Sequence, residues 1–322
     1  MSLPASPFVW YELMTTDAPA AAAFYQQVVG WQAADAGMPG IDYTLLSAGE
    51  GQIGGLMALP AEALAAGARA GWVGYIAVPD VDAQAARLLQ AGGAVQRPPE
   101  DIPGVGRFAM VADPQGATFC LFKDRSSQAP NPPAVGTPGT MGWHELYTDD
   151  LDRAWAFYSD QFGWAKDEAI DTGPMGIYQL FAASVGGPVI GGMMTRPPEL
   201  PQACWLYYVN VSAIDAAGER ILAAGGQVVS GPMEVPGGSW IVQGRDPRAR
   251  CSRWWRQFAE PGGPARRSGH GAASHAASVL PAHLEQRIGD LAQAAAAHRV
   301  HQHVEHVVVG DHRLLQALEH CR

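Results

Sequence analysis

Residues 10–31 read W-Y-E-L-M-T-T-D-A-P-A-A-A-A-F-Y-Q-Q-V-V-G-W, and residues 143–164 read W-H-E-L-Y-T-D-D-L-D-R-A-W-A-F-Y-S-D-Q-F-G-W. The offset is 133 residues at every aligned position, and it also carries Gly92-Gly93 onto Gly225-Gly226, Trp72 onto Trp205, Pro103 onto Pro236 and Asp113-Pro114 onto Asp246-Pro247. A unit of about 120 residues is therefore duplicated in tandem.

Within each stretch the hydrophobic period changes from 2 to 3.6. Residues 8–15 alternate as a half-buried strand, with Trp10, Glu12 and Met14 on one face and Tyr11 and Leu13 on the other. Thr16-Asp17 then supplies an N-cap, Pro19 fits a first turn, and Gly30 ends an Ala-rich helix whose expected buried stripe is Phe24, Val28 and Val29. Further strands are expected at 43–47 and 53–59, where Gly54-Gly55 marks a bulge or a close approach of backbone or ligand. Strand 72–78, a helix over 81–91 capped by Asp80, and strands 107–112 and 117–122 complete the first copy. The second copy repeats this with strands 141–148, 176–182, 189–194, 205–211 and 239–243 and helices 151–162 and 213–224. Each copy is read as β-α-β-β-β twice, at least one strand more per half than these ranges place. Half a copy is too small to bury its sheet face alone, so the halves are expected to pair.

The expected organisation is a first domain over 7–124, a Pro-rich linker over 125–139, a second domain over 140–258 whose last strand is disrupted after 247, and an aberrant tail over 259–322. Composition separates the tail sharply. Residues 1–247 carry 11 basic and 25 acidic side chains, whereas 248–322 carry 10 basic and 6 acidic. Of the ten histidines only His144 precedes residue 248. Where the first copy ends D-P-Q-G-A-T-F-C-L-F, the second reads D-P-R-A-R-C-S-R-W-W-R-Q. Joining the last base of each codon to the first two of the next turns Trp254-Trp255 into Val, and one permitted coding of residues 248–257 reads G-A-M-F-A-L-V-A-A. That is the apolar strand the first copy predicts. The chain after about Pro247 is therefore expected to be translated out of frame, and the tail's H-R-V-H-Q-H-V-E-H, with His298, His301, His303 and His306, is read as accidental composition and not as a metal tract.

The acidic body argues against nucleic acid or an anionic membrane as partner. Nothing resembles a signal peptide, and four scattered cysteines in no CxxC spacing fit reduced thiols, so a cytoplasmic location is expected. Tandem domains are expected to let the chain stand as a monomer.

The strand, capping Asp and helix ending F-Y-x-x-V-x-G-W, followed by G-G, V-x-D-V-D-A and D-P-x-G, resemble the vicinal oxygen chelate superfamily, which includes glyoxalase I, extradiol dioxygenases and bleomycin-resistance proteins. The tandem W-x-E-L-x-T form resembles a bacterial branch labelled glyoxalase-like or hydroxylase. The resemblance spans residues 7–124 and 140–247 and implies an α+β, glyoxalase-like fold in which paired βαβββ modules form incomplete barrels around a concave site. In metal-dependent relatives four strands supply the ligands of a divalent ion. Here the first place holds Trp10 or Trp143, the middle one falls near Gly55 or Gly192, the strand after the midpoint gives Val73 or Leu206, and the final strand gives Cys120. Indole and aliphatic groups do not ligate, so the inherited ligand positions are not retained and no cofactor is expected, with a divalent metal left open as the alternative.

Glu12 and Glu145 sit two residues beyond the old first-ligand place and are the candidate catalytic carboxylates. Trp10, Tyr43, Met57 and Phe108, with Trp143, Tyr178, Met194 and Ile241, are the candidate ligand-lining residues, with ordinary core as the alternative for each. His144 points away from Glu145 and is read as a packed histidine; Cys120 is read as buried and inert. Three functions remain open: a metal-independent binder of a small, partly apolar molecule; a metal-dependent lyase, isomerase or oxygenase using Glu12 or Glu145; and a structural protein with a vestigial cavity.

Overall fold

The computed structural model describes residues 5–38, 40–65, 67–125, 134–198, 200–235, 238–246, 253–257 and 307–311, the last two segments as backbone. Copy 1 runs β1 (Phe8–Thr15), α1 (Ala18–Val29), β2 (Gln32–Asp35), β3 (Tyr43–Ala48), β4 (Gly51–Ala58), the short α2 (Ala61–Ala65), β5 (Gly71–Ala77), α3 (Val81–Gln90), β6 (Ala94–Ile102), β7 (Gly106–Ala112) and β8 (Thr118–Asp124). Copy 2 runs β9 (Met141–Thr148), α4 (Leu151–Phe162), β10 (Ala165–Asp171), β11 (Ile177–Ala182), β12 (Val189–Thr195), β13 (Cys204–Val209), α5 (Ile214–Ala223), β14 (Gln227–Val235), β15 (Ser239–Arg245), β16 (Arg253–Gln257) and β17 (Val307–Asp311).

Each copy is one open, mixed sheet. The order β2-β3-β4-β1-β5-β8-β7-β6 joins two four-stranded modules through the antiparallel β1–β5 pair, which is the expected pairing of halves. The strand that opens each module after its helix, β2, β6, β10 or β14, was not separable in the sequence from the loop around it. Each is a largely exposed sheet edge and lacks a sustained apolar alternation. Copy 2 repeats the plan as β10-β11-β12-β9-β13-β17-β16-β15-β14. One departure stands out: β8 lies parallel to β5, whereas the neighbour of β13 is β17, which runs antiparallel to it. The reading-frame expectation falls largely on residues 247–252, 258–306 and 312–322, which lie outside the described residues.

Local signals work as read. Asp17 accepts from Ala20 N at 3.0 Å and Gly30 closes α1 at φ 85°, while Asp150 and Gly163 do the same for α4. One correction concerns the stripe of α1: Ala21, Ala22, Phe24, Tyr25 and Val28 are buried, and Val29 is only half-buried, because the Tyr25 ring turns inward to stack on Trp31 at 5.4 Å.

The helix-bearing faces of the two sheets share one core. The contacts across it are nearly two-fold. Trp31 Nε1 donates to the Gly139 carbonyl at 2.7 Å, and its counterpart Trp164 donates to Ser6 at 2.8 Å. Arg220 on α5 donates to the Val28 carbonyl at the end of α1, and Arg87 on α3 donates to that of Asp160 near the end of α4. The Tyr158 hydroxyl donates to Asp113 at 3.0 Å, so the F-Y of one copy reads the D-P turn of the other.

Near the pseudo-axis, equivalent residues meet each other. Tyr11 and His144, 133 residues apart, hydrogen-bond at 2.5 Å; Gly74 N donates to the hydroxyl of its own counterpart, Tyr207, at 2.8 Å. His144 lies flat on Phe8 with ring centroids 4.3 Å apart. A β-bulge between Phe8 and Trp10 turns Phe8 onto this face beside Tyr11. The Nδ1–H of His144 donates to the Ile190 carbonyl at 2.6 Å, which leaves Nε2 to accept from Tyr11. Burial pushes the His144 pKa down to about 4, so the ring is neutral near pH 7.

Candidate functional site

The opposite, concave face of each sheet carries a separate cluster. In copy 1 it is Val73, Tyr75, Phe108 and Cys120, with Trp10, Met14, Ile102, Met110 and Phe122 packed around them. Strand parity places Trp10, Glu12 and Met14 on this side, as the alternation of residues 8–15 predicts, while Tyr11 and Leu13 enter the shared core.

A chain of hydrogen bonds converges on Glu12, which is 8% exposed. Trp10 Nε1 donates to the Tyr43 hydroxyl at 3.1 Å, and that hydroxyl donates to Glu12 Oε2 at 3.1 Å. From the other side the Tyr75 hydroxyl stands close enough to influence both the Glu12 carboxyl and the Cys120 thiol. Burial raises the pKa of Glu12; the two tyrosines and the Arg97 charge oppose that rise but do not cancel it. The Cys120 thiol is pushed up by burial and by the nearby Glu12 charge, which holds it as an unreactive SH.

The glycine pair in β4 explains how Tyr43 reaches the carboxyl. Glu12 pairs with Gly55, and a Cβ on Gly55 would lie 1.8 Å from the Tyr43 hydroxyl. Only hydrogen at this place lets the tyrosine ring lie across β4. On the other face a Cβ on Gly54 would lie 2.3 Å from the Tyr11 carbonyl, so that glycine admits backbone. Both halves of the expected close approach are thus protein, one side chain and one main chain. Met57 lies in register with Tyr43 and Met14 on this side but is not part of the buried cluster.

In copy 2 the same scaffold carries a more apolar lining. Trp143 Nε1 donates to the Tyr178 hydroxyl at 2.7 Å, Glu145 is 2% exposed, and a Cβ on Gly192 would lie 2.2 Å from the Tyr178 ring. Around them Tyr147, Met194, Leu206, Tyr208 and Ile241 are buried together, with Trp143, Met175 and Met233 packed on. Six of the eight expected lining residues, Trp10, Phe108, Trp143, Tyr178, Met194 and Ile241, therefore enter the two concave clusters, and Tyr43 joins through its bond to Glu12. Sequence reasoning missed Tyr75 and Tyr208, because β5 and β13 are apolar on both faces and their parity carries no signal. It also missed Arg97, on an edge strand not recognised as one.

A separate recess of about 490 Å³ at the start of α4 is lined by Asp149, Asp150, Asp152, Lys166 and Gln179. It lies on the other side of β11 from Tyr178 and belongs to neither concave face.

The four places that the family resemblance assigns to metal ligands do not fit a metal. Trp10 is a donor only and its N–H is in use, the space over Gly55 is filled by Tyr43, and Val73 is aliphatic. Glu12 and the protonated Cys120 are the two His, Cys, Asp or Glu side chains beside these places, Glu100 being held at the rim by Arg97, and two are short of the three or four a divalent site requires. Among the described residues no three His, Cys, Asp or Glu side chains gather into a cation site.

Two open mixed sheets of paired modules, each with a concave face opposite its helices, define the class. The model of the Glyoxalase/Bleomycin resistance protein/Dioxygenase superfamily matches residues 8–121 and 140–263, and the chain belongs to that family. It is 34% identical over 238 residues to the glyoxylase-like protein CFP32 of Mycobacterium tuberculosis, covering 70% of this chain and 85% of that one. It is 32% identical over 249 residues to the anthracycline biosynthesis protein DauV of Streptomyces sp. (strain C5), covering 73% and 87%. Among solved structures the Mn(II)-bound glyoxalase of Novosphingobium aromaticivorans superposes with a TM-score of 0.51 at 18% identity, covering 76% of this chain and 79% of that one, a likeness of fold.

Proposed function

We propose that the concave face of copy 1 binds a small, planar, partly apolar molecule without the metal of its metal-dependent relatives, and that Glu12 is its polar anchor. The observation that carries this reading is the buried carboxyl of Glu12, which accepts from the Tyr43 hydroxyl with Tyr75 nearby, on a face otherwise lined by Trp10, Phe108 and methionines. Such a lining favours stacking and shape, with one group to accept a ligand hydroxyl or N–H. DauV, named for anthracycline biosynthesis, supports a polycyclic aromatic ligand. The partner is then a small molecule, with neither nucleic acid nor membrane involved; no helix among the described residues is long and apolar enough to cross a bilayer. The test is native mass spectrometry with metal analysis on untagged protein. A bound aromatic compound with less than a tenth of an equivalent of Fe, Mn, Ni or Zn per chain is expected; about one equivalent of metal per copy, lost in Glu12→Ala, would overturn it.

A second reading, acid–base catalysis, is favoured by the raised pKa of Glu12, which brings a carboxyl toward the range of a general base. Turnover of a bound ligand that falls at least 100-fold in Glu12→Gln with binding retained would establish it.

We also propose that the chain after Pro247 is out of frame. The antiparallel β17 beside β13, where copy 1 has the parallel β8, supports this. Resequencing several isolates is decisive; an intact frame from codon 248 to a stop after residue 322 overturns the proposal.

A further inference from the structure

The concave faces of the two copies differ most at the rim formed by β6 and β14. In β6, Arg97 pairs with Met110 and Glu100 pairs with Phe108, with a bulge at Pro98-Pro99 between them. Met110 and Phe108 share the concave face, so the bulge brings Arg97 and Glu100 to that same face although they are three residues apart. The Arg97 guanidinium carbon stands 5.0 Å above the centre of the Phe108 ring, and Glu100 forms an ion pair with it. In copy 2 the bulge is kept at Gly231-Pro232, but Ser230 pairs with Gln243 and Met233 pairs with Ile241. The cation, its carboxylate and the aromatic ring beneath are all replaced.

We propose that Arg97 makes copy 1 selective for a planar aromatic ligand that carries an anionic group, a carboxylate or sulfonate, at the end opposite the hydroxyl or N–H directed to Glu12. This rests on the binding reading of copy 1 given above. The ligand ring lies against the half-buried Trp10, the guanidinium that covers Phe108 meets the anion at the rim, and the buried carboxyl receives the ligand's donor. Two observations make Arg97 available. Its side chain is 53% exposed and that of Glu100 is 40% exposed. An exposed ion pair of this kind holds little free energy, so an anionic ligand exchanges for Glu100 readily, and the planar fork suits a carboxylate. Arg97 is also close enough to Glu12 and Cys120 for its charge to be felt by both. Copy 2, without a cation at Ser230, has no such preference.

Fluorescence and calorimetric titration of the full chain with 6-hydroxy-2-naphthoic acid, whose hydroxyl and carboxylate lie at opposite ends of the ring system, and with 2-naphthol tests the proposal. The acid is expected to bind about 10-fold tighter than the naphthol, as one charge-assisted contact provides, and the preference should fall as salt rises. Arg97→Gln is expected to remove that preference by weakening the acid alone, and Glu100→Gln to strengthen the acid two- to threefold by freeing the guanidinium. Equal affinity for the two probes in the unmodified protein, or an acid affinity unchanged in both variants, overturns the selectivity while leaving the binding site intact. Binding of neither probe overturns the binding reading and the selectivity with it.

Discussion

Copy 1 adds Cys120 and Arg97 to the Trp10, Tyr43, Glu12 and Tyr75 of its concave face, whereas copy 2 keeps Trp143, Tyr178, Glu145 and Tyr208 and surrounds them with Tyr147, Leu206, Ile241 and methionines. The strands that carry these groups follow one plan up to β15 and β7. What differs is the chemistry placed on it. The helix-bearing faces show more contacts that are conservative in kind, Trp31 with Trp164 and Arg87 with Arg220, although the Gln84–Gln161 bond has no counterpart between Ala217 and Val28. A duplicated chain can thus alter its concave faces independently, while its shared core constrains both copies together.

The largest effect that could break this comparison comes from the axis. Gly74→Ala would place a Cβ 2.6 Å from the Tyr207 ring and 2.7 Å from Phe8, and is expected to cost about 3 kcal/mol in urea unfolding. A loss below 1 kcal/mol would mean that the axis repacks freely. Next is acid. The folded pKa of His144 lies at about 4 against 6.5 for the free side chain. Its neutral form therefore contributes stability that is full above pH 6.5 and is lost as pH falls toward 4, by roughly 3 kcal/mol for a shift of this size. Unfolding curves of the unmodified protein and His144→Gln should accordingly converge by that amount between pH 7 and pH 4. A gap that stays constant would show that the ring does not change protonation on unfolding in this range.

Smaller effects sharpen the symmetry. Trp31→Phe and Trp164→Phe each remove a buried indole bond to a backbone carbonyl just before the first strand of the other copy. Each should cost about 2 kcal/mol, and the two costs should agree within error; a marked inequality would make one half of the interface dominant. The smallest effect separates the concave face from the core. Because burial raises the pKa of Glu12, its contribution is most favourable below the unfolded carboxyl range and is lost as pH rises through the folded value. Glu12→Gln should therefore stabilise the protein by on the order of 1 kcal/mol at pH 8 and by less at pH 4, as thermal melts would record.

Much of this architecture was legible in the chain itself. The tandem repeat, the faces of β1 and the caps at Asp17 and Asp80 rest on local rules that tertiary contacts reinforced. The concave site was half legible. Alternation placed Trp10 and Glu12 together, and the glycine pair announced a close approach, but nothing in the pattern said that tyrosines would fill the space above Gly55 and Gly192. Tyr75 and Arg97 depend on register across β1–β5 and on a proline bulge in an edge strand, and register is set by partners distant in sequence. His144 could be read as packed, yet its meeting with its own counterpart requires knowing how the two copies face each other.

That meeting carries a lesson about ancestry. Gly74 and Tyr207 occupy one place in the repeat, and each is acceptable only opposite the other: two tyrosines would collide there, and two glycines would leave a hole. In a pair of identical subunits no such division of labour exists, since every change appears on both sides at once. Joining the copies in one polypeptide released that restraint, and the lock-and-key pair it permitted now works as a ratchet, so that neither half retains a surface suited to a twin of itself.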